Sequence, residues 1–169
     1  HGGALLKIHT GSDTFVRPSM GAWISYGLGS ENSNLPAFVT IDPTLNHGGV
    51  QNFGGSFLPA QHQGVRVHGK VATINDLKPS APEALQRRKL DLLQSLNQLQ
   101  LPDVGPAVGL DARIRTFELA FRMQREAPEA LDLSQESKHS HQLYGTDNEQ
   151  TSAFGRQCML ARRLAERGV

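Results

Sequence analysis

The sequence predicts an α/β protein whose second half is rich in helix. One observation is the short, partly β-branched apolar run at residues 36–41, which turn residues bound and which is typical of a buried strand. The other is the recurrence of apolar side chains at helical spacing from Ser80 onward. Because one or two strands do not form a stable sheet alone, the helices are predicted to need a sheet that this sequence does not supply.

The first half is predicted to contain short elements separated by glycine-rich turns. A short helix is predicted to start at residues 17–19, where an early proline costs no hydrogen bond, and to stop at residues 27–29. Residues 46–56 include four glycines and are predicted to form a loop. Residues 65–67 and 71–74 are predicted to be short extended segments.

Two long helices are predicted in the middle of the chain. The first starts at a capping box of Ser80 and Glu83, and Pro102 and the Gly-Pro pair at residues 105–106 break the chain after it. The second ends before Pro128 and has the apolar stripe Ile114, Phe117 and Phe121. The apolar face of the helix that starts at the capping box is formed by Leu85, Leu92, Leu93, Leu96 and Leu99. Because these faces lack a covering sheet, the chain alone is expected to be poorly soluble.

Two shorter helices are predicted after residue 131. Asp132 and Gln135 predict the cap of a helix that ends near Tyr144. The other helix begins at about Ser152, and Gly168 is predicted to occupy its C′ position. Its buried face is predicted to comprise Phe154, Cys158, Ala161 and Ala165.

Composition gives no support for several classes of partner. The 169 residues carry a formal net charge of +1, with 17 basic and 16 acidic side chains. This balance gives no support for a nucleic-acid or anionic-membrane partner, and no apolar run approaches the length of a bilayer span. Cys158 is the single cysteine, so the sequence holds neither an internal disulfide nor a cysteine-rich zinc site.

Histidines are frequent, but their spacing is poor for a metal site. His139 and His141 are two residues apart, so they would point to different faces of a helix. His47, His62 and His68 stand singly near glycine-rich loops, and we interpret them as ordinary loop histidines rather than as ligands.

The polar pair of greatest interest is Arg17 with Ser19. Both are predicted to lie at a helix N-terminus, where backbone N–H groups and the helix dipole favour an anion. The forked guanidinium of Arg17 suits sulfate, phosphate or carboxylate. The alternative interpretation is a helix cap at Ser19 beside a surface cation.

Five stretches resemble one family, and together they span almost the whole chain. They are residues 17–39, 56–64, 118–134, 143–145 and 154–169. Their sequences and their order are similar to the bacterial domain-of-unknown-function family 1501, which is often described as sulfatase-like.

The resemblance implies an alkaline-phosphatase-like fold, a three-layer α/β/α sandwich whose metal-dependent members hydrolyse sulfate or phosphate esters. It implies a divalent metal such as zinc or calcium, twin-arginine export, a periplasmic or other extracytoplasmic location, and a small-molecule or polysaccharide ester as substrate. Arg17 and Ser19 would then steady the charge of the ester.

The resemblance also implies that residues 1–169 are the central part of one sulfatase-like domain, truncated at both ends. His1 resembles the histidine of an Asn-His motif and is the sole metal-ligand candidate. The acidic and histidine turns that hold metals in the superfamily are expected to lie outside this sequence. The set is therefore incomplete here, and the fragment alone is expected to be inactive.

A second hypothesis is a protein with the same fold but without catalytic activity, because fold alone does not imply activity. The chain would then belong to a non-catalytic, extracytoplasmic protein that binds a polysaccharide or an envelope partner. Trp23, Tyr26 and residues 53–63 would contact that partner, although the two rings are otherwise interpreted as core packing. A third hypothesis is a structural fragment without a function of its own.

Overall fold

The sheet is small and mixed. Across residues 2–104 and 108–169, which the computed structural model describes, three strands are ordered β1 (Val39–Ile41), β2 (Val65–His68) and β3 (Thr73–Ile74). β1 and β2 are parallel, with Val39 opposite Val65, whereas β2 and β3 are antiparallel, with Val67 opposite Ile74. The strand predicted at residues 36–41 is thus confirmed in its second half.

Helices make up most of the described structure. They are α1 (Gly2–Thr10), α2 (Met20–Leu28), α3 (Glu83–Val104), α4 (Val108–Leu131), α5 (Lys138–Leu143) and α6 (Ser152–Ala165). Short 3₁₀ helices occupy Gly49–Phe53, within the predicted loop, and Ala60–His62 and Leu133–Gln135.

The core lies where the end of α4 and the middle of α6 cover the sheet. Val67 is fully buried and packs with Leu131, Leu160 and Leu164, while Val39 and Ile41 contribute partly buried neighbours. These β-branched and leucine side chains explain why such short strands persist, since the helices bury the face that the strands offer. The α/β class is confirmed, and the three-layer sandwich stays a prediction.

α4 corrects one predicted boundary. It continues through Pro128 to Leu131, although a proline inside a helix removes a hydrogen bond and costs roughly 3 kcal/mol. The turn persists because Ala127, Ala130 and Leu131 are buried in the core. α3 likewise passes Pro102 and extends to Val104; the break predicted at residues 105–106 lies outside the described residues.

α6 confirms its predicted ends but not its predicted face. It begins at Ser152, and Gly168 has a φ of 79°, as a C′ residue requires. The Gly168 and Val169 N–H groups donate to the carbonyls of Ala165 and Leu164, which is the Schellman pattern. However, Phe154 is exposed, and the buried side of the helix comprises Gly155, Met159, Leu160, Arg163 and Leu164.

The helix predicted between Asp132 and Tyr144 is divided in two. Asp132 accepts a hydrogen bond from the Ser134 N–H and caps only the 3₁₀ turn. Ser137 then accepts from the Ser140 N–H and caps α5, which ends at Leu143. Each piece therefore has its own capping side chain.

The outer face of α3 is apolar and exposed. Leu92 is 60 % exposed and Leu96 is 48 % exposed, and both lie on a helix that packs against α4. In the described ranges, no helix combines the length and the apolar content that a bilayer span requires.

We expect the double variant Leu92→Glu/Leu96→Lys to be more soluble than the wild type at an unchanged thermal midpoint. The substitutions remove exposed apolar area and create an i, i+4 ion pair on a solvated helix face. Soluble concentration after centrifugation and a thermal melt check this. Leu160→Glu, on the buried side of α6, is the control that should unfold the chain. A marked drop in the melting midpoint of the double variant would contradict the exposed placement of these leucines.

Candidate functional site

A cavity of about 540 Å³ opens between the end of α2, residues 29–37, the 3₁₀ helix Ala60–His62 and α4. Most of its polar wall is neutral hydroxyl and amide groups, and its charged side chains come from α4. The side chains relevant to chemistry are Ser25, Gln61, His62, Arg115, Glu118 and Arg122. The Ala60–His62 turn packs on α4, so residues far apart in sequence meet here.

In the described part of the chain, the Arg122 guanidinium is hydrogen-bonded through Nε but not through its two terminal nitrogens. Its Nε–H donates to the Ser33 carbonyl at 2.9 Å, which restrains the side chain at the cavity wall. Within residues 2–104 and 108–169, neither Nη1 nor Nη2 makes a hydrogen bond. Arg122 therefore presents a fork of donors whose geometry matches two oxygens of one anion.

Glu118 interacts with that charge, but both oxygens of its carboxylate are hydrogen-bonded to another arginine. Both oxygens of Glu118 accept from the Arg87 guanidinium, at 2.6 and 2.7 Å. These hydrogen bonds lower the pKa of Glu118, so it is ionised and paired with α3 at neutral pH. Arg87 also pairs with Asp91 and lies 5.3 Å from the centre of the Phe121 ring.

Ser25 and His62 form the second polar feature of the cavity. The Ser25 Oγ and the His62 Nδ1 are 2.9 Å apart, and Ser25 is only 2 % exposed. Burial lowers the pKa of His62 below its usual 6.5, so the ring is neutral at pH 7. The Tyr26 ring contacts the imidazole edge-on, with ring centres 5.3 Å apart.

The structure places Arg17 and Ser19 in different environments. Ser19 is 1 % exposed and caps α2 by accepting a hydrogen bond from the Ala22 N–H at 3.4 Å. Arg17 is exposed, and its guanidinium lies 5.9 Å from the centre of the Phe15 ring. The capping function is thus observed, and anion binding at these two residues stays a prediction.

No described group of three or more His, Cys, Asp or Glu side chains is close enough together to hold a metal ion. His1, the metal-ligand candidate, lies outside the described residues. His141 is instead hydrogen-bonded to Thr146, with its Nδ1 2.7 Å from the Thr146 Oγ1. Cys158 is a free thiol, half-buried rather than fully enclosed.

The aromatic residues of α2 do not pack in the core, contrary to the interpretation from sequence. Trp23 is 46 % exposed and Tyr26 is 53 % exposed. Their rings contact each other edge-on, and Trp23 makes a similar contact with Phe57. They lie on the outer side of α2, which Phe57 and His62 cover only in part.

Sequence reasoning missed the two features that the cavity brings together. His62 was interpreted as an ordinary loop histidine, and Arg122 has no distinguishing motif around it. Yet both fall inside stretches that carry the family resemblance, at residues 56–64 and 118–134. The family resemblance of those stretches was therefore the signal in the sequence that could have pointed to both residues.

Fold and site together define a mixed α/β chain with a basic, hydrogen-bonding cavity. The model of the family described as protein of unknown function (DUF1501) matches residues 1–169, and the chain belongs to this family. Neither a curated protein nor a solved structure matches the chain.

Proposed function

We propose that this chain recognises the anionic group of a sulfate or phosphate ester, as part of an ester hydrolase. The observation that carries the proposal is Arg122, a cavity-lining residue whose Nε–H donates to the Ser33 carbonyl while Nη1 and Nη2 have no hydrogen-bond partner among the described residues. Tetrahedral oxyanions offer paired oxygens at the spacing of that fork.

The residues around Arg122 favour a bound anionic ligand, rather than a carboxylate side chain of the protein, as the partner of its guanidinium. Glu118, the acidic residue of the cavity wall, is hydrogen-bonded through both carboxylate oxygens to Arg87. Neutral side chains such as Gln61 are able to hydrogen-bond the remaining oxygens. Charge and hydrogen bonding are therefore both suited to an ester of sulfate or phosphate.

The divalent metal implied by the resemblance does not fit the described residues, because no cluster of ligands is present among them. The proposal therefore derives no step through a metal and concerns recognition by this chain's own side chains. Hydrolysis and the extracytoplasmic location are proposed on the resemblance alone. Fractionation of the intact protein tests the location.

Arg122→Ala is expected to weaken sulfate and phosphate binding by about tenfold to a hundredfold, the worth of a charge-assisted, two-point contact. Calorimetric titration of wild type and variant at fixed ionic strength measures this. Arg125→Ala is the matched control, since Arg125 lies on the same helix, is 70 % exposed and forms a long ion pair with Glu83 at 3.8 Å. Its affinity should equal that of the wild type.

Arg17→Ala separates the two candidate anion sites. If Arg17→Ala lowers affinity and Arg122→Ala does not, the anion binds at the start of α2 and the proposed cavity site is wrong. Turnover is tested with aryl sulfate and aryl phosphate, with and without added zinc or calcium. Arg122-dependent binding without any turnover of either ester by the intact protein would favour the non-catalytic binding protein instead.

A further inference from the structure

The peptide unit between Ser33 and Asn34 is hydrogen-bonded on both of its edges. Its carbonyl oxygen, which belongs to Ser33, accepts from the Arg122 Nε–H at 2.9 Å. Its N–H, which belongs to Asn34, donates to the Asn32 Oδ1 at 2.7 Å. The N–H and carbonyl groups of a planar trans peptide unit point in opposite directions. The Asn32 acceptor that fixes the N–H therefore also fixes the direction of the carbonyl that Arg122 contacts.

The Asn32 side chain is restrained by two further hydrogen bonds. Its Oδ1 also accepts from the Leu35 N–H at 3.1 Å, and Leu35 is buried in the core. Its Nδ2 donates to the Arg167 carbonyl oxygen at 2.6 Å, just beyond the end of α6. These contacts determine which end of the amide is the oxygen, because only the oxygen accepts from N–H groups. One carboxamide thus attaches the turn at residues 32–35 to α6.

Asn32 also lines the cavity, but its polar atoms are used by the backbone. The oxygen accepts from two N–H groups, and the nitrogen donates to a carbonyl. The hydrogen bonds of Asn32 therefore connect it to the anion site through the Ser33 carbonyl and Arg122.

We propose that Asn32 is a positioning residue of the anion site, which fixes the Ser33 carbonyl and thereby restrains the Arg122 guanidinium before a ligand binds. The inference rests on the proposed function. A long arginine side chain loses rotamer freedom when it binds a ligand, and an arginine that is already restrained loses less. Asn32 therefore raises the affinity for the anion without contacting it.

Two substitutions at Asn32 isolate the acceptor that fixes the peptide unit. A serine hydroxyl is able to accept from the N–H two residues later, as in an ST-turn, but is too short to reach the Arg167 carbonyl. Calorimetric titration with sulfate at fixed ionic strength compares the variants. We expect Asn32→Ala to bind about three- to tenfold more weakly than the wild type, and Asn32→Ser to stay within about twofold.

Asn34→Ala is the matched control for these substitutions. It removes a carboxamide from the same turn but keeps the backbone N–H that donates to Asn32. Among the described residues, the Asn34 side chain makes no hydrogen bond. Its sulfate affinity should equal that of the wild type.

The restraint on Arg122 is measurable without any ligand. In proton–nitrogen spectra of the labelled 169-residue chain, the Arg122 Nε–H signal is assigned by its absence in Arg122→Ala. We expect slow exchange of this proton with water in the wild type and in Asn32→Ser, and faster exchange in Asn32→Ala. Core amides such as that of Val67 should keep their protection in all three, which separates positioning from a general loss of stability.

A double-mutant cycle tests whether Asn32 acts through Arg122. Asn32→Ala should lower sulfate affinity in the wild type but should cause no further loss in the Arg122→Ala background. Three results would overturn the inference: equal losses in both backgrounds, an Asn32→Ser affinity as low as that of Asn32→Ala, or wild-type affinity and Nε–H exchange in Asn32→Ala.

Each of those results leaves the proposed function standing, provided that Arg122→Ala itself weakens sulfate binding. If Arg122→Ala binds sulfate like the wild type, the proposed anion site fails, and the inference about Asn32 fails with it.

Discussion

Replacement of Arg163 by methionine is expected to lower the free energy of unfolding by about 3–5 kcal/mol, the range for breaking a buried ion pair. Arg163 is 8 % exposed, and its guanidinium pairs with Glu136 at 2.7 Å. It also donates to the Ala130 and Glu129 carbonyls at 3.1 and 2.8 Å, in the last turn of α4. Methionine keeps most of the volume but leaves the Ala130 carbonyl without the Arg163 donor, whereas the Glu129 carbonyl keeps the Asp132 N–H.

Arg162→Met is the control for this prediction. Arg162 also pairs with Glu136, but its side chain is 32 % exposed, so its loss should cost about 1 kcal/mol or less. Chemical denaturation with a common slope gives both values. Equal losses for the two arginines would show that Arg163 does not act through its buried hydrogen bonds.

The ion pair between Arg163 and Glu136 makes the stability of the fold depend on pH. Its two arginine partners hold the pKa of Glu136 at about 2, below its usual 4.5. A depressed carboxyl pKa stabilises the fold above pH 4.5, and that contribution is lost as pH falls toward 2. The difference in the free energy of unfolding between wild type and Arg163→Met should therefore decrease as pH falls from 4.5 to about 2. A difference that stays constant would contradict the ion pair.

Gly155→Ala is expected to destabilise the chain by about 1–3 kcal/mol, the usual cost of overpacking. Helix propensity alone predicts the opposite sign, since alanine is favoured over glycine inside a helix by roughly 1 kcal/mol. A Cβ at Gly155 would overlap the Tyr144 carbonyl oxygen, which is backbone and cannot move aside alone. Steric overlap therefore outweighs propensity.

Gly27→Ala provides the matched control inside α2. Apart from its chain neighbours and the backbone of its own helix, no atom of the described residues lies within 4 Å of the position that its Cβ would take. We expect this variant to be more stable than the wild type by about 0.5–1 kcal/mol. Thermal and denaturant melts of both variants measure the two signs. A stabilised Gly155→Ala would mean that the turn before α6 does not pack against the helix as described.

Local signals predicted the ends of elements better than their faces. Ser19 and Gly29 bound α2, and Gly168 closes α6, because caps and left-handed glycines act through neighbouring residues. The buried face of α6 was wrong because its packing uses Gly155 and Arg163. Neither residue is part of an apolar periodicity. However, Gly155 is small enough for a backbone carbonyl to pack against it, and the charge of Arg163 is paired.

The candidate site was less predictable than the fold, for the same reason. Seen along α4, Arg122 is one of several arginines on a polar helix side. It becomes a cavity residue only when Ser33 and the turn at His62 pack against that side. The prediction at Arg17 relied on a local helix start, and in the structure the capping serine is buried while the arginine is exposed.

The position of α6 in the chain has a consequence for synthesis. Leu160 and Leu164 complete the core around Val67, yet the ribosome makes them more than 80 residues after the sheet. During that interval the nascent chain displays the apolar side of its strands without α6 to cover it, and such species tend to aggregate. Production of this protein should therefore depend on slow translation or on holding chaperones until α6 has emerged.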